Sequence, residues 1–329
     1  MTRWFHPISF QLATTSWAHS RFKTKKNFNT KYRHVKHYRL LCEISHGSTG
    51  IVYLALDTKT KQLYAIKEIN AIQLQRQQGM DWLQARHPRH QQYNDGSKRR
   101  RIDTMINIPT MESDILKSLQ HDNIVTWIDW FEQDDYVYLV TEWVDGSILV
   151  DLHDHEHQRS IDETTCHSIF VQLISALEYL HERHVIHCDI KPDNILLTKD
   201  QHVKLIDFGS AIQLSTGHDD KIYQRRRTPA FTAPECLMIK KKKDDAYNET
   251  AADIYSLGLT LYCMVYGNLP PLQPIDDLTR LPLWTTPASD TTHPQLVDLL
   301  DQMLKVCPFE RITLDKIKSH PWVLKNDTT

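Results

Sequence analysis

Two carboxylates, a lysine and an amide stand close together in the middle of this 329-residue chain. Asp189, Lys191 and Asn194 fall within six residues, in His187-Cys188-Asp189-Ile190-Lys191-Pro192-Asp193-Asn194. Asp207-Phe208-Gly209 follows eighteen residues after Asp189, on the end of an apolar stretch. Such a set suits metal-assisted phosphoryl transfer. One carboxylate can orient a hydroxyl nucleophile, the lysine can steady charge on the moving group, and Asn194 with Asp207 can hold Mg²⁺ on the phosphates.

These two signatures, at this separation, resemble the catalytic loop and the D-F-G turn of the protein kinase family. The remaining family positions can be compared one at a time. Ser45-x-Gly47-x-x-Gly50-x-Val52 resembles the glycine-rich hairpin, where a missing Cβ lets backbone N–H groups approach phosphates. Ser45 stands where the family's first glycine would be. Tyr64-Ala65-Ile66-Lys67 resembles the strand lysine that contacts the α- and β-phosphates. Glu112 resembles the helix acid that pairs with that lysine. Thr141 takes the gatekeeper position, and Glu142 to Val144 the hinge that would hold adenine. Ala233-Pro234-Glu235, Asp253-x-x-Ser256-Leu257-Gly258 and Arg311 match architectural positions. The resemblance runs over residues 38–323. It implies ATP with Mg²⁺, as two ions, as cofactors, and a protein as substrate. Lys191 and Thr228 imply a serine/threonine rather than a tyrosine acceptor.

The elements that must position these groups can be read from pattern. Tyr38 to Ile44, Ile51 to Leu56 and Gln62 to Ile69 are short β-branched and aromatic runs separated by turns. A helix is expected over Met111 to Leu119 after Pro109, then strands around Trp127 to Phe131 and Tyr136 to Thr141. Beyond Glu142 helices dominate. Ile169, Leu173, Ala176, Leu177 and Leu180 share one helical face, and further helices are expected at 253–266, 294–305 and 313–318. Strands first and helices afterwards give an α+β chain in two lobes. The expected sheet-plus-αC lobe is 38–141, interrupted by an insertion at 71–110, and the helical lobe is 142–323. The longest apolar run, Ile254 to Val265, is too short to span a bilayer and reads as a buried core helix.

Charge is distributed unevenly. The formal total is −2, yet residues 1–37 carry +8 and residues 71–110 carry +4, so the rest carries −14. The formal total of −2 argues against a bulk polyanion binder, and no nucleic acid is expected as a partner. Residues 1–37 read as a basic arm without ordered structure. Six scattered cysteines without a C-x-x-C pair indicate a reducing compartment and no structural zinc; cytoplasm is expected, with the nucleus as a second destination. His153, His155 and His157 alternate with acids as a solvated loop does, and Lys240 to Lys243 read as a solvated run. There is no G-x-x-x-x-G-K-[ST] run, which excludes a P-loop ATPase.

Three departures from the family pattern stand out. Cys188 replaces the arginine that clamps a phosphorylated activation loop, Ser45 replaces a glycine, and Arg227 precedes Thr228 after Arg225-Arg226. A nucleotide-binding scaffold without transfer activity is therefore the alternative to an enzyme. Within the family, Thr228 to Glu235, Gly258 to Gly267 and Arg311 to Trp322 look like the calcium/calmodulin-dependent kinase kinases and the fungal kinases upstream of the AMP-activated kinase homologue. This implies that the substrate is another kinase, with Arg99 to Arg101 of the insertion docking it. Only the short tail 324–329 follows Val323, so control through a C-terminal calmodulin-binding tail is not expected.

Overall fold

The computed structural model describes residues 32–47, 50–71, 107–152, 160–214, 228–237, 249–270, 272–274, 280–282 and 294–324. The first part of the chain forms one antiparallel sheet of six strands: β1 (His34–Val35), β2 (Tyr38–Gly47), β3 (Gly50–Asp57), β4 (Leu63–Asn70), β5 (Trp127–Gln133) and β6 (Tyr136–Glu142). Their order is β1-β2-β3-β4-β6-β5. Helix α1 (Asn107–Ser118) lies between β4 and β5 in sequence.

Because side chains alternate across a strand, the register decides what meets what. Ser45 pairs with Val52, Val52 with Lys67, and Lys67 with Leu139. Ala65 pairs with Thr141. All of these therefore share the face turned towards the second lobe. The opposite face carries its own apolar cluster of Val35, Tyr38, Leu40, Ala55, Ile66, Phe131, Tyr138 and Val140.

The second lobe is built on α2 (Glu163–Glu182) and α4 (Glu249–Tyr266). Asp162 caps α2 by accepting from the Thr165 amide at 2.9 Å, satisfying one of the orphan donors of the first turn. The expected stripe is buried, with Cys166, Phe170 and Ile174 added to it. Helix α4 is buried on every side from Ala251 to Met264, as a helix apolar all round must be in a soluble core. No helix among the described residues is long and apolar enough to cross a membrane. Trp322 is fully buried, edge-on to Phe170 at 5.5 Å. The remaining helices are α3 (Pro234–Leu237), α5 (Pro294–Met303) and α6 (Leu314–Lys318). Small strands complete the lobe: β7 (Gly146–Ile148), β9 (Ile195–Thr198) and β10 (Val203–Leu205) form one sheet, and β8 (Val185–Ile186) pairs with β11 (Ile212–Gln213). A separate hairpin joins β12 (Leu272–Pro274) to β13 (Arg280–Pro282).

The segment that joins α1 to β5 is stitched to the second lobe. Ile124 forms a parallel bridge to Leu205. The Val125 amide donates to Leu205 O at 3.0 Å, and the Leu205 amide to Asn123 O at 2.8 Å. Lys204 ion-pairs with Glu142 at 2.7 Å.

The structure moves several boundaries. Residues 34–35, counted with the basic arm, belong to the sheet: β1 pairs with β2, and Val35 is buried. The helix expected from 253 begins at Glu249, and the one expected to reach 305 ends at Met303. The helix expected from Met111 begins at Asn107 instead. Pro109 lies within its first turn, where a missing N–H costs nothing. Residues 72–106, 153–159, 225–227 and 238–248 lie outside the described residues, and with them the insertion's basic run, the histidine alternation and the lysine run.

Candidate active site

Lys67 projects from β4 and meets two carboxylates. Its Nζ lies 3.0 Å from both oxygens of Glu112 and 2.8 Å from Asp207 Oδ1. Glu112 is 5% exposed, because α1 packs against β5 and β6 and presses this turn inwards. Burial pushes Lys67 down, but the two carboxylates outweigh it and hold the ammonium charged. Burial pushes Glu112 up, which Lys67 only partly offsets.

Asp207 sits in the left-handed region at φ 59°, a conformation that Asp tolerates better than most side chains. That turn lets its own Oδ1 accept from the Gly209 amide at 3.3 Å. A Cβ on Gly209 would come within 3.1 Å of Lys67 Nζ, 3.2 Å of Asp207 Oδ1 and 3.4 Å of Glu112 Oε2. The glycine thus admits the three-way contact, a role for its missing side chain that the D-F-G spelling alone did not reveal.

Lys67 beside it is the main cause that holds the Asp207 carboxyl down at about 2. A depressed carboxylate stabilises the fold at pH values above its ordinary value near 4, and that contribution is lost as pH falls towards 2. A ¹³C titration of the Asp207 carboxyl is therefore expected to show a midpoint near 2. A midpoint near 4 would mean that the contact with Lys67 does not persist in solution.

The second group is centred on Asp189. Its Oδ1 accepts from the Thr228 amide at 3.0 Å, and its Oδ2 lies 3.1 Å from Lys191 Nζ. Lys191 also donates to Thr228 Oγ1 at 2.6 Å. Asn194 Nδ2 donates to Asp189 O at 2.8 Å and to Asp189 Oδ2 at 3.0 Å. With its NH₂ so engaged, the amide presents its carbonyl oxygen as the group a hard cation would take. The Ile206 amide donates to Asn194 O at 2.8 Å, tying the approach to Asp207 to the Asp189 loop.

Asp253 on α4 holds this loop from below. It is completely buried, and its two oxygens accept from the His187 and Cys188 amides at 2.9 Å each. His181 Nε2 lies 3.1 Å from the same carboxylate. Burial pushes Asp253 up, but these bonds outweigh it and keep the group ionised. The two amide contacts sustain the left-handed backbone at Cys188, φ 66°, which is unusual outside glycine. The His181 contact was not legible from spacing, since it crosses from one helix to another.

Cys188 packs in a small apolar cluster with Ile186 and Ile212. A thiol there cannot make the bidentate contact with a phosphate that a guanidinium makes. Transfer rates before and after phosphatase treatment are therefore expected to agree within about twofold, whereas a phosphate-clamping arginine would make the loss large.

Every site residue expected from sequence lies in the described part. Lys67, Glu112 and Asp207 are brought together, as are Asp189, Lys191 and Asn194. Val52, Ala65 and Thr141 line the same sheet face, with Ser45, Gly47 and Gly50 at the hairpin end. Val144 is buried just beyond β6. Glu142 is committed to Lys204 and to the Thr126 amide and hydroxyl, each at 2.8 Å. Its side chain therefore braces the 122–126 segment, and its backbone amide donates to Thr126 O at 3.0 Å. Glu235 and Arg311 form a bidentate pair at 2.7 and 2.9 Å.

The residues fit a nucleotide and a divalent cation. A Cβ at Gly50 would lie 2.2 Å from Glu68 O, so the backbone at Gly50 lies bare against β4. Asp207 is ionised and 42% exposed at its side chain, as a ligand for a hard cation must be.

The model of the family described as the protein kinase domain matches residues 38–323. A calcium/calmodulin-dependent protein kinase kinase from Caenorhabditis elegans is 33% identical over 304 residues, covering 90% of this chain and 54% of the relative. The serine/threonine-protein kinase GRIK2 of Arabidopsis thaliana is 33% identical over 300 residues, covering 89% and 67%. The calcium/calmodulin-dependent protein kinase kinase cmkC of Emericella nidulans is 28% identical over 326 residues, covering 94% and 62%. The chain thus spans from about half to two thirds of the length of these relatives. With the match running through both lobes, the chain belongs to the protein kinase family, among its serine/threonine members.

Proposed function

We propose that the protein transfers the γ-phosphate of ATP to a serine or threonine hydroxyl of another kinase, at the activation-loop threonine of an AMP-activated-type catalytic domain. The observation that carries the acceptor is the Lys191–Thr228–Asp189 contact set. Two of the relatives are named as kinase kinases, which favours a kinase as substrate.

When bound, Mg-ATP supplies the phosphoryl group and much of the charge that neutralises it, with two ions in the proposal. Asp189 orients the acceptor hydroxyl and takes its proton, being held by Asn194 and the Thr228 amide so that one carboxylate edge faces the substrate. Lys191 places positive charge beside the transferring group. Lys67, braced by Glu112, holds the α- and β-phosphates. Asn194 and Asp207 supply oxygen ligands. Little of this is covalent; the protein's contribution is position and fixed charge. Arg99 to Arg101 would dock the substrate.

The test is phosphate transfer to a catalytically inactive AMP-activated-type kinase domain, with short basic peptides in parallel. Labelling at the activation-loop threonine supports the whole reading. Labelling of peptides alone would keep the transferase and discard the substrate. Absence of both would overturn it.

A further inference from the structure

Glu68 follows Lys67 on β4 and points the other way, to the outer face of the sheet. It is 5% exposed, a costly place for a carboxylate unless it is paired. Its partner comes from ahead of the matched domain: the Arg33 guanidinium donates to the Glu68 carboxylate and lies 5.3 Å over the Tyr53 ring. Tyr138 stands directly across the ladder from Glu68. Three residues on, Lys36 reaches β5, with Nζ 2.9 Å from Asp129 and 4.4 Å from the Phe131 ring centre. The segment is thus sewn across the back of the sheet.

The same Glu68 peptide supports the cleft. Its carbonyl is the atom that a Cβ on Gly50 would strike, so the phosphate hairpin rests on it. We infer that Arg33 is a positioning residue for ATP, acting through Glu68 to hold β4 so that Lys67 and the Ser45–Gly50 hairpin face the phosphates together; this rests on the assignment of Lys67 to those phosphates. Without Arg33 the buried carboxylate loses its counter-charge and is drawn towards water. Neighbouring residues on a strand face opposite ways, so that roll displaces Lys67 and withdraws the carbonyl beneath Gly50. Nucleotide affinity suffers, and the Asp189 loop, carried by the other lobe, does not.

The test is steady-state kinetics on the full chain at varied ATP, for Arg33→Ala, Arg33→Lys, Glu68→Gln and the double variant R33A/E68Q, well below each melting temperature. R33A is expected to raise KM for ATP about 5- to 10-fold, with kcat and KM for the protein substrate within about twofold, as for loss of a ground-state contact. R33K should recover most of the loss. In the E68Q background, where the buried charge is gone, R33A should add under about twofold, a coupling that independent effects would not show. A lower melting temperature with unchanged KM for ATP, or an equal KM increase in both backgrounds, overturns the inference. Lys67→Met separates the layers. If K67M is inactive and R33A leaves KM unmoved, only this inference fails; if K67M retains transfer, the phosphate assignment fails first.

Discussion

Replacing Asp189 by asparagine is expected to lower kcat by about 10²- to 10⁴-fold, the usual worth of a positioned base, while Mg-ATP binding changes little. The substitution preserves shape. An amide oxygen at the Oδ1 position still accepts from the Thr228 amide, now 3.0 Å away, and Asn194 keeps its bond to the backbone oxygen of residue 189, now 2.8 Å. Three things are lost: a group able to take a proton, the negative partner of Lys191 at 3.1 Å, and the Oδ2 acceptor of Asn194 at 3.0 Å. Lys67, Glu112 and Asp207 are untouched, because they form a separate contact set around β4 and α1. The measurement pairs single-turnover transfer with nucleotide titration. A kcat loss below tenfold would remove Asp189 from the proton-handling role, and a parallel loss of ATP binding would show that the two sets are not independent.

Arg311 should give the largest stability effect. Its side chain is completely buried, and both outer nitrogens meet Glu235, at 2.7 and 2.9 Å. Nη1 also donates to Ala251 O at 2.6 Å, Nε to Lys305 O at 3.1 Å, and the guanidinium lies 4.9 Å from the Tyr255 ring centre. Arg311→Met keeps much of the volume but leaves Glu235 and three carbonyls, of Ala251, Lys305 and Val306, without their donor. Breaking such a pair on one side costs about 3–5 kcal/mol. For a domain of this size that lowers the melting temperature by roughly 6–20 °C. The double variant R311M/E235Q should recover part of the loss, since the uncompensated charge is then removed. A shift under about 3 °C for R311M would mean that the buried pair contributes no net stability, which buried pairs sometimes do not.

Much of this arrangement was legible because its residues are close in sequence or repeat with a period. Asp189, Lys191 and Asn194 share one loop, and the stripe from Ile169 to Leu180 follows the helical repeat. Strand ends were misjudged by a residue or two, since hydrogen bonding continues through polar positions such as Gln133 and Glu142. The contribution of residues 33–36 was hidden for a different reason. Arg33 and Lys36 look like any solvated basic residues, and only the fold shows that a buried Glu68 and an exposed Asp129 wait for them. The contact of His181 with Asp253 likewise depends on how two helices cross. The meaning of Gly209 lies in what a side chain would strike, which no pattern of letters displays.

The connector at 122–126 bears on how the protein can be cut. By sequence it belongs with the strands that follow it, yet side-chain bonds as well as backbone ones tie it to β10: Asn123 Nδ2 donates to Val203 O at 3.0 Å, and Lys204 Nζ to Ile124 O at 3.3 Å. A chimera joined after residue 141, grafting a foreign upper half onto this lower half, would replace one side of that seam and leave carbonyls and amides of β10 facing a mismatched strand. Exchanges that carry 122–126 together with 203–205 and Glu142 would transfer the seam intact. The functional unit of inheritance here is therefore discontinuous, a patch of three chain segments rather than either half alone.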